Sequence, residues 1–399
     1  MCMTALDLKK NKKTTPLTIG QKNAVMSRIF NLVYTNQRFL LLGHTYADED
    51  CIASLVALGL LLKKFKKDVV IYIGEPISTK LDFLLGICNY NHIKVLIGEF
   101  PKMEKFEVIF VMDTPKPDMI DVKGYGAELL QDPSIPKIEM DHHFNADAEY
   151  CGDEGYCLTM RASSTCEIIA RICSKLKNYP LILKQYEITE LYSRNIILAM
   201  LTGMIGDAKF GNYLFKRRDK AFYEYFLKKF NGMLNEKLYK NSRNISSIEE
   251  ILETLETLSE EDSKIYSRII TKAEYSGKTG AVVLGKSESD MISKDVDYPQ
   301  FVGLIKKATD SIAETAKGVG ISVYFDPPDI SDKIQFRIRA SEHIKGIDLR
   351  PVLDDFKIND GGGHPGAIGF RFPASQVEDI KEYTKKIIQK VETLIKCHL

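Results

Sequence analysis

No two cysteines in this chain fall at C-x-x-C spacing, although Cys2, Cys51, Cys88, Cys151, Cys157, Cys166, Cys173 and Cys397 are all present. Such pairs are how thiolates gather around a structural zinc ion, so a zinc site of that kind is not expected. No apolar run reaches the ~20 residues of a membrane span. The longest, "IASLVALGLLL", stops at "KKFKK" and reads as a buried helix. The opening "MCMTALDLKKNKK" lacks the apolar centre of a secretory signal and reads as a polar extension over 1–20. Reduced thiols in a cytoplasmic protein follow from that reading. Charge of one sign is also missing: 55 Lys+Arg against 54 Asp+Glu leave no global field that would favour long duplex nucleic acid. There is no low-complexity tract, and 399 residues exceed one ordinary core, so two globular domains are expected.

What the chain does have is alternation. From 21 to about 150 helical spacing ("AVMSRIFNLVYTN", "CIASLVALGLLLKKF") alternates with short runs rich in Val, Ile and Phe. Those runs are "RFLLLGH", "KDVVIYIG", "HIKVLIG", "FEVIFVMD" and "PKIEMDHH". Buried parallel strands read this way, which predicts an α/β fold with a doubly wound, mainly parallel sheet and helices on both faces. Residues 163–232 turn helical, completing a first domain over 21–232, and 233–275 read as a charged helical connector. A second alternation from 276 to 399 ("GAVVLG", "GISVYFD", "KIQFRIRAS" and the Gly-rich "DGGGHPGAIGFRF") predicts a smaller C-terminal α/β domain.

The chemistry collects where the strands end. In open α/β sheets ligands bind outside the carboxyl ends of the strands. "RFLLLGH" delivers His44, followed by Asp48 and Asp50; "FEVIFVMD" delivers Asp113; "PKIEMDHH" delivers Asp141, His142 and His143. Asp207 closes the apolar helix "LTGMIGDAKF". A single Asp at a strand end is ordinary turn chemistry; three strand ends that all finish in carboxylate or imidazole are not. Carboxylates and imidazoles without thiolates suit Mn²⁺ or Mg²⁺. The set exceeds the needs of one ion and fits two held ~3.5–4 Å apart with a shared carboxylate, the arrangement of phosphoester hydrolysis.

Taken in order, "GHTYADEDCIAS", "VMDTP", "MDHHF", "TGMIGDAKF" and "GGGHPGAIGF" resemble the successive motifs of the DHH phosphoesterases over about residues 25 to 375. The narrower likeness is to nanoRNases, 3′-phosphoadenosine-5′-phosphate phosphatases and cyclic-dinucleotide phosphodiesterases. The resemblance implies roles that spacing alone does not. His44 and Asp48 would bind one Mn²⁺, Asp50, His142 and Asp207 the other, and Asp113 would bridge both. His143 would contact the scissile phosphate, with Asp141 supporting it from behind, and "SSTCE" (163–167) would help shape the site. Mg²⁺ or Co²⁺ are the expected substitutes for Mn²⁺.

The same resemblance implies an active site in a cleft between the domains, with the C-terminal domain holding the far part of the substrate. The backbone amides of Gly361, Gly362 and Gly363 and the ring of His364 would do so, with Arg339 as a phosphate-binding residue. Glycines do let successive amides approach an anion, although a Gly-rich turn also serves as a tight strand connection, and Arg339 on its own reads as a surface salt-bridge residue. Two departures stand out: Ala208 replaces a Thr usual after the late Asp, and Ala47 a frequent Pro. Neither removes an expected ligand.

The expectation is therefore an Mn²⁺-dependent phosphodiesterase acting by a two-metal mechanism on short oligonucleotides or linear and cyclic dinucleotides (pApA, cyclic di-AMP) to give mononucleotides. 3′-Phosphoadenosine-5′-phosphate is a further candidate substrate. Partners beyond that substrate are not expected from long duplex nucleic acid or membrane, and a homodimer is left open. The rival readings are a pyrophosphatase or exopolyphosphatase on the same constellation, and a nucleotide-binding regulator without turnover.

Overall fold

The structure, a computed structural model, describes residues 12–102, 105–144, 148–208, 217–236 and 245–398. The chain divides into two compact units, Met1–Thr257 and Leu258–Leu399. In chain order the first contains α1 (Ile19–Thr35), β1 (Arg38–Leu42), α2 (Glu49–Lys64), β2 (Asp68–Ile73), α3 (Asp82–Tyr90), β3 (Lys94–Ile97), β4 (Val108–Met112), α4 (Tyr125–Gln131) and β5 (Lys137–Asp141). It continues with β6 (Cys157–Thr159), α5 (Thr165–Leu176), α6 (Pro180–Gln185), α7 (Arg194–Ala208), α8 (Arg217–Glu236) and α9 (Ile248–Glu256).

The six strands form one parallel sheet in the order β3-β2-β1-β4-β5-β6. The runs of Val, Ile, Leu and Phe are continuous because both faces of each central strand are covered. On β1, Phe39 and Leu41 join the core built with α1, α2, α5 and α7, while Leu40 and Leu42 join a second core with Ile109, Val111 and Leu129 on the other face. Strand β6 has only three residues, too short to show a period, and escapes a sequence reading. Helix α2 is apolar around nearly its whole circumference, with Ile52, Leu55, Val56, Leu58 and Leu61 all buried, so it must be enclosed. Much of that enclosure is α7, whose Gly203 permits the approach: a Cβ there would lie 2.4 Å from an Asp50 carboxylate oxygen and 2.4 Å from the Cys166 sulfur. The chain leaves β1 in one direction and returns to β4 on its other side, so the winding reverses between these neighbours, and this reversal positions the site.

The second unit contains α10 (Glu260–Ile270), β7 (Glu274–Ser276), β8 (Thr279–Val283), α11 (Lys286–Ser293), α12 (Tyr298–Ala316), β9 (Val319–Phe325) and β10 (Lys333–Ala340). After these come α13 (Pro351–Asp355), β11 (Gly361–His364), β12 (Ala367–Pro373) and α14 (Ile380–His398). Its sheet runs β11-β12-β10-β9-β8-β7 and is antiparallel except for the β8–β9 pair. Val319, Ile321 and Val323 pack on one side with Ile387 and Val391 of α14, and Tyr324 packs on the other with Phe301 and Ile305 of α12. Of the helices in the expected connector, α9 belongs to the first unit and α10 to the second. No helix among the described residues is long and apolar enough to cross a membrane, and the described cysteines are all free thiols.

Candidate functional site

Parallel strands in register finish level. Leu42 lies opposite Val111, and Met112 opposite Met140, so His44, Asp113 and the run Asp141-His142-His143 emerge side by side at one sheet edge. The end of β4 is strained: Asp113 has φ 50°, in the left-handed region that a side chain with a Cβ enters reluctantly and that Asp tolerates better than most. Beside it, Asp48 caps α2, its carboxylate accepting from the Cys51 amide at 3.2 Å. The next carboxylate, Asp50, is buried in the first turn of α2.

The side chains meet in one continuous cluster. Asp113 Oδ1 is 3.3 Å from His142 Nε2 and 3.7 Å from His143 Nδ1, while its Oδ2 is 4.0 Å from His44 Nε2. His142 Nε2 lies 3.4 Å from Asp207 Oδ2 at the end of α7, and His44 Nε2 lies 3.7 Å from Asp48 Oδ1. Asp50, His142 and Asp207 offer ligand atoms all within 4.8 Å of one another, as do Asp113, His142 and His143. His44 Nδ1 donates to the Thr45 carbonyl at 2.7 Å, which leaves Nε2 as the acceptor nitrogen turned inward. Cys51 forms a third such group with His44 and Asp113. Its thiol is pushed up by burial, and nothing in its sequence neighbourhood marks it out.

Three partners of the carboxylates come from the segment "SSTCE". At the start of α5 the amides of Thr165 and Cys166 donate to the two oxygens of Asp50, at 2.6 and 3.1 Å, and the Thr165 hydroxyl donates to Asp113 Oδ1 at 2.9 Å. A helix N-terminus presents unpaired amides and a partial positive charge, so it suits a carboxylate. The helix start is itself fastened. Ser164 accepts from the Glu167 amide at 3.1 Å, and the buried Glu167 carboxylate accepts from the Ser163 amide and hydroxyl at 2.9 and 2.6 Å and from Arg171 Nε at 2.7 Å. "SSTCE" therefore acts as a capped helix start aimed at two carboxylates.

Behind the histidines, Asp141 is fully buried and gives Oδ1 to His143 Nδ1 at 2.7 Å and Oδ2 to Lys13 Nζ at 2.6 Å. Burial opposes a charge on Asp141, but His143 and Lys13 beside it hold the carboxyl well below its usual range. Lys13 lies in the stretch that reads as a polar extension, yet its side chain is wholly buried. A lone Lys in a charged tail carries no sign of this in sequence.

Divalent cations fit this donor set. Burial, with Asp113 alongside, pushes Asp50 well above the ordinary carboxylate range. Burial also raises Asp207, to about 6, with Asp48 and Asp113 adding and His142 opposing. His142, despite its burial, is pulled well above the usual imidazole value by Asp207 and Asp113. Carboxyls and an imidazole all shifted upward mark crowded negative charge, which a divalent ion would neutralise. The hard oxygen and imidazole donors suit Mn²⁺ or Mg²⁺.

In the second unit Arg339 is the penultimate residue of β10, 3.9 Å from Asp310. Gly361, Gly362, Gly363 and His364 form β11, paired with Phe370 to Ala367 of β12. The expected Gly-rich turn is thus the edge strand of a hairpin. The Arg371 amide donates to the Asp360 carbonyl at 2.9 Å, which sets the alternation: Gly361 and Gly363 fall at positions whose amides face away from β12. Glycine is required at 363, where φ is 140° and a Cβ would lie 2.2 Å from the Ala367 carbonyl oxygen.

Residues 38–204 match the family model described as DHH family, N-terminal domain. A search of curated proteins gives no match. Among solved structures, an exopolyphosphatase-related protein from Bacteroides fragilis superposes with a TM-score of 0.59 at 17% identity, covering 94% of this chain and 98% of that one. A RecJ in complex with Mn²⁺ from Thermus thermophilus (TM-score 0.42, 12% identity) covers 97% of this chain and 57% of its own. A pGpG-specific phosphodiesterase from Vibrio (TM-score 0.35, 13% identity) covers 90% and 99%. The first of these likenesses establishes a shared fold.

Proposed function

We propose that this protein is an Mn²⁺-dependent phosphodiesterase that cleaves very short oligonucleotides or linear and cyclic dinucleotides, such as pApA and cyclic di-AMP, to mononucleotides. One observation carries the reading: six side chains from three strand ends and two helix ends meet around a shared Asp113 and His142. In the proposal His44 and Asp48 hold one ion, Asp50, His142 and Asp207 a second, and Asp113 both. Bound divalent ions supply Lewis-acid activation of water and neutralise charge on the phosphoryl group. The chain's own residues do the rest. Asp141 fixes His143 by its Nδ1, which leaves the other ring nitrogen for the phosphate, and α5 holds Asp50 and Asp113 so that the ligands are set before substrate arrives. Of the expected clamp, Gly361, Gly363, His364 and Arg339 are assigned to the non-reacting end of the substrate, while Gly362 falls where its amide faces β12.

The rival pyrophosphatase or exopolyphosphatase reading gains support from the second unit. Lys333, Arg337 and Arg339 alternate along β10 and so share one face, with Arg371 beside them on β12 opposite Gln335. Much of that charge is engaged at home: Lys333 and Arg371 both bind Asp360, and Arg337 Nε donates to the Tyr324 hydroxyl at 3.2 Å. The nucleotide reading is preferred for that reason.

One substrate panel separates the two. Rates are measured with Mn²⁺ and with chelator on pApA, cyclic di-AMP, cyclic di-GMP, 3′-phosphoadenosine-5′-phosphate, RNA 2- to 20-mers and pyrophosphate. Chelator-sensitive cleavage of dinucleotides with little activity on pyrophosphate is expected. Preferred hydrolysis of pyrophosphate would move the assignment to the rival, and tight binding of pApA without turnover would make the protein a regulator.

A further inference from the structure

The geometry points to Lys13 as a positioning residue for the candidate centre: it clamps Asp141 so that Asp141 in turn fixes the ring of His143. The inference rests on the reading of His143 as the group that meets the phosphate. Its observation is independent of any ligand. Lys13 Nζ donates to Asp141 Oδ2 at 2.6 Å and to the Thr114 carbonyl oxygen at 2.8 Å, and it pairs electrostatically with Glu139 Oε1 at 2.5 Å.

Position decides why this matters. Glu139 and Asp141 are two residues apart on β5, so their side chains leave the same face of the sheet, and both are fully buried. Two carboxylates side by side without water are strongly unfavourable unless a cation joins them. Each is then divided between partners. Glu139 gives its second oxygen to the amides of Cys151 and Gly152, at 2.9 and 3.2 Å. Asp141 gives its second oxygen to His143 Nδ1 at 2.7 Å. With Oδ2 held by Lys13, the carboxylate cannot rotate away from the ring. The proton on Nδ1 is fixed there, and Nε2 is presented as the working nitrogen.

The lysine is not there by accident of a loose tail. Its own amide donates to the Ala148 carbonyl at 2.9 Å, Lys12 bridges antiparallel to Glu149, and the Glu149 amide donates to the Pro115 carbonyl at 2.9 Å. The segment thus forms a short ladder over the exit of β4 and reaches the back of the site, 128 residues before its partner Asp141.

The test uses the full chain, ¹⁵N-labelled at histidine, and compares wild type with Lys13→Met. In wild type the His143 ring nitrogens are expected to report an Nδ1–H tautomer; in Lys13→Met the Nε2–H form appears. For pApA, kcat should fall at least about tenfold while KM stays within about twofold and bound Mn²⁺ is unchanged. In an Asp141→Asn background the same substitution should have little further effect on kcat, because the lysine acts through that carboxylate. A merely structural lysine would give additive losses and an unchanged tautomer, and either result overturns the proposal. Should Lys13→Met fail to fold, Lys13→Met/Glu139→Gln, with one buried carboxylate removed, takes its place under the same criteria. If neither folds, the lysine's role is stability and the proposal falls. The tautomer needs no turnover, so a wild type inactive on pApA would sink the functional reading while leaving Lys13 to be decided by the ring nitrogens.

Discussion

In the first unit all six strands run the same way, so every carboxyl end arrives at one edge of the sheet. There the rings of His44, His142 and His143 all come within 4.0 Å of the Asp113 carboxylate. The second unit also has six strands, but mostly antiparallel, and its strand ends are shared between opposite edges. Its polar side chains lie along a face instead, with Lys333, Gln335, Arg337 and Arg339 spaced two apart on β10. The difference teaches where to look. A parallel sheet concentrates acids and imidazoles at a point, which suits cations and bond breaking; an antiparallel sheet spreads cations along a surface, which suits holding an anion.

Substitutions can break or sharpen that contrast. The largest effect is expected from Asp113→Ala, which removes the carboxylate shared by His44, His142 and His143. Turnover should fall by roughly 10⁴-fold or more, and Mn²⁺ content measured by mass spectrometry should fall with it. Near-normal activity would mean that the strand-end cluster is not the reacting centre. Next comes Thr165→Val, which keeps the shape but deletes the hydroxyl donated to Asp113. A loss of roughly 10–100-fold in kcat or metal affinity is expected, against no change if α5 only packs nearby. The smallest is His364→Ala on β11, where KM should rise several-fold, about the worth of one hydrogen bond, with kcat nearly constant. A drop confined to kcat would erase the contrast by placing a reacting group in the second unit.

Much of the fold could be read beforehand, for a physical reason. β1, β2, β4 and β5 are enclosed on both faces, and each demands a run of large apolar residues that ends where the strand meets water. The Asp and His that follow are conspicuous because three such runs finish in them together. The segment 163–167 stood out through the resemblance, but the bonds it makes had no side-chain signature: the hold of α5 on Asp50 is made by the amides of Thr165 and Cys166, and an amide looks the same at every position. The glycines at 361–363 read as a turn because glycine is poor in strands, but β11 is an edge strand pressed against β12, where a Cβ at Gly363 would strike the Ala367 carbonyl. Lys13 was hidden by company: among so many charged neighbours, nothing marks the one that points inward.

The bond between Lys13 and Asp141 also has a bearing on biosynthesis. The lysine leaves the ribosome early and must wait through the synthesis of 128 further residues before its carboxylate partner exists; Asp207, on α7, emerges later still. A contact of that span carries a large loop-closure cost and forms late. The centre is therefore completed only when the sheet has closed to β5 and α7 has docked on α2. A chain stopped before that point lacks this cluster of carboxylates and imidazoles, which is complete only once the first unit is whole.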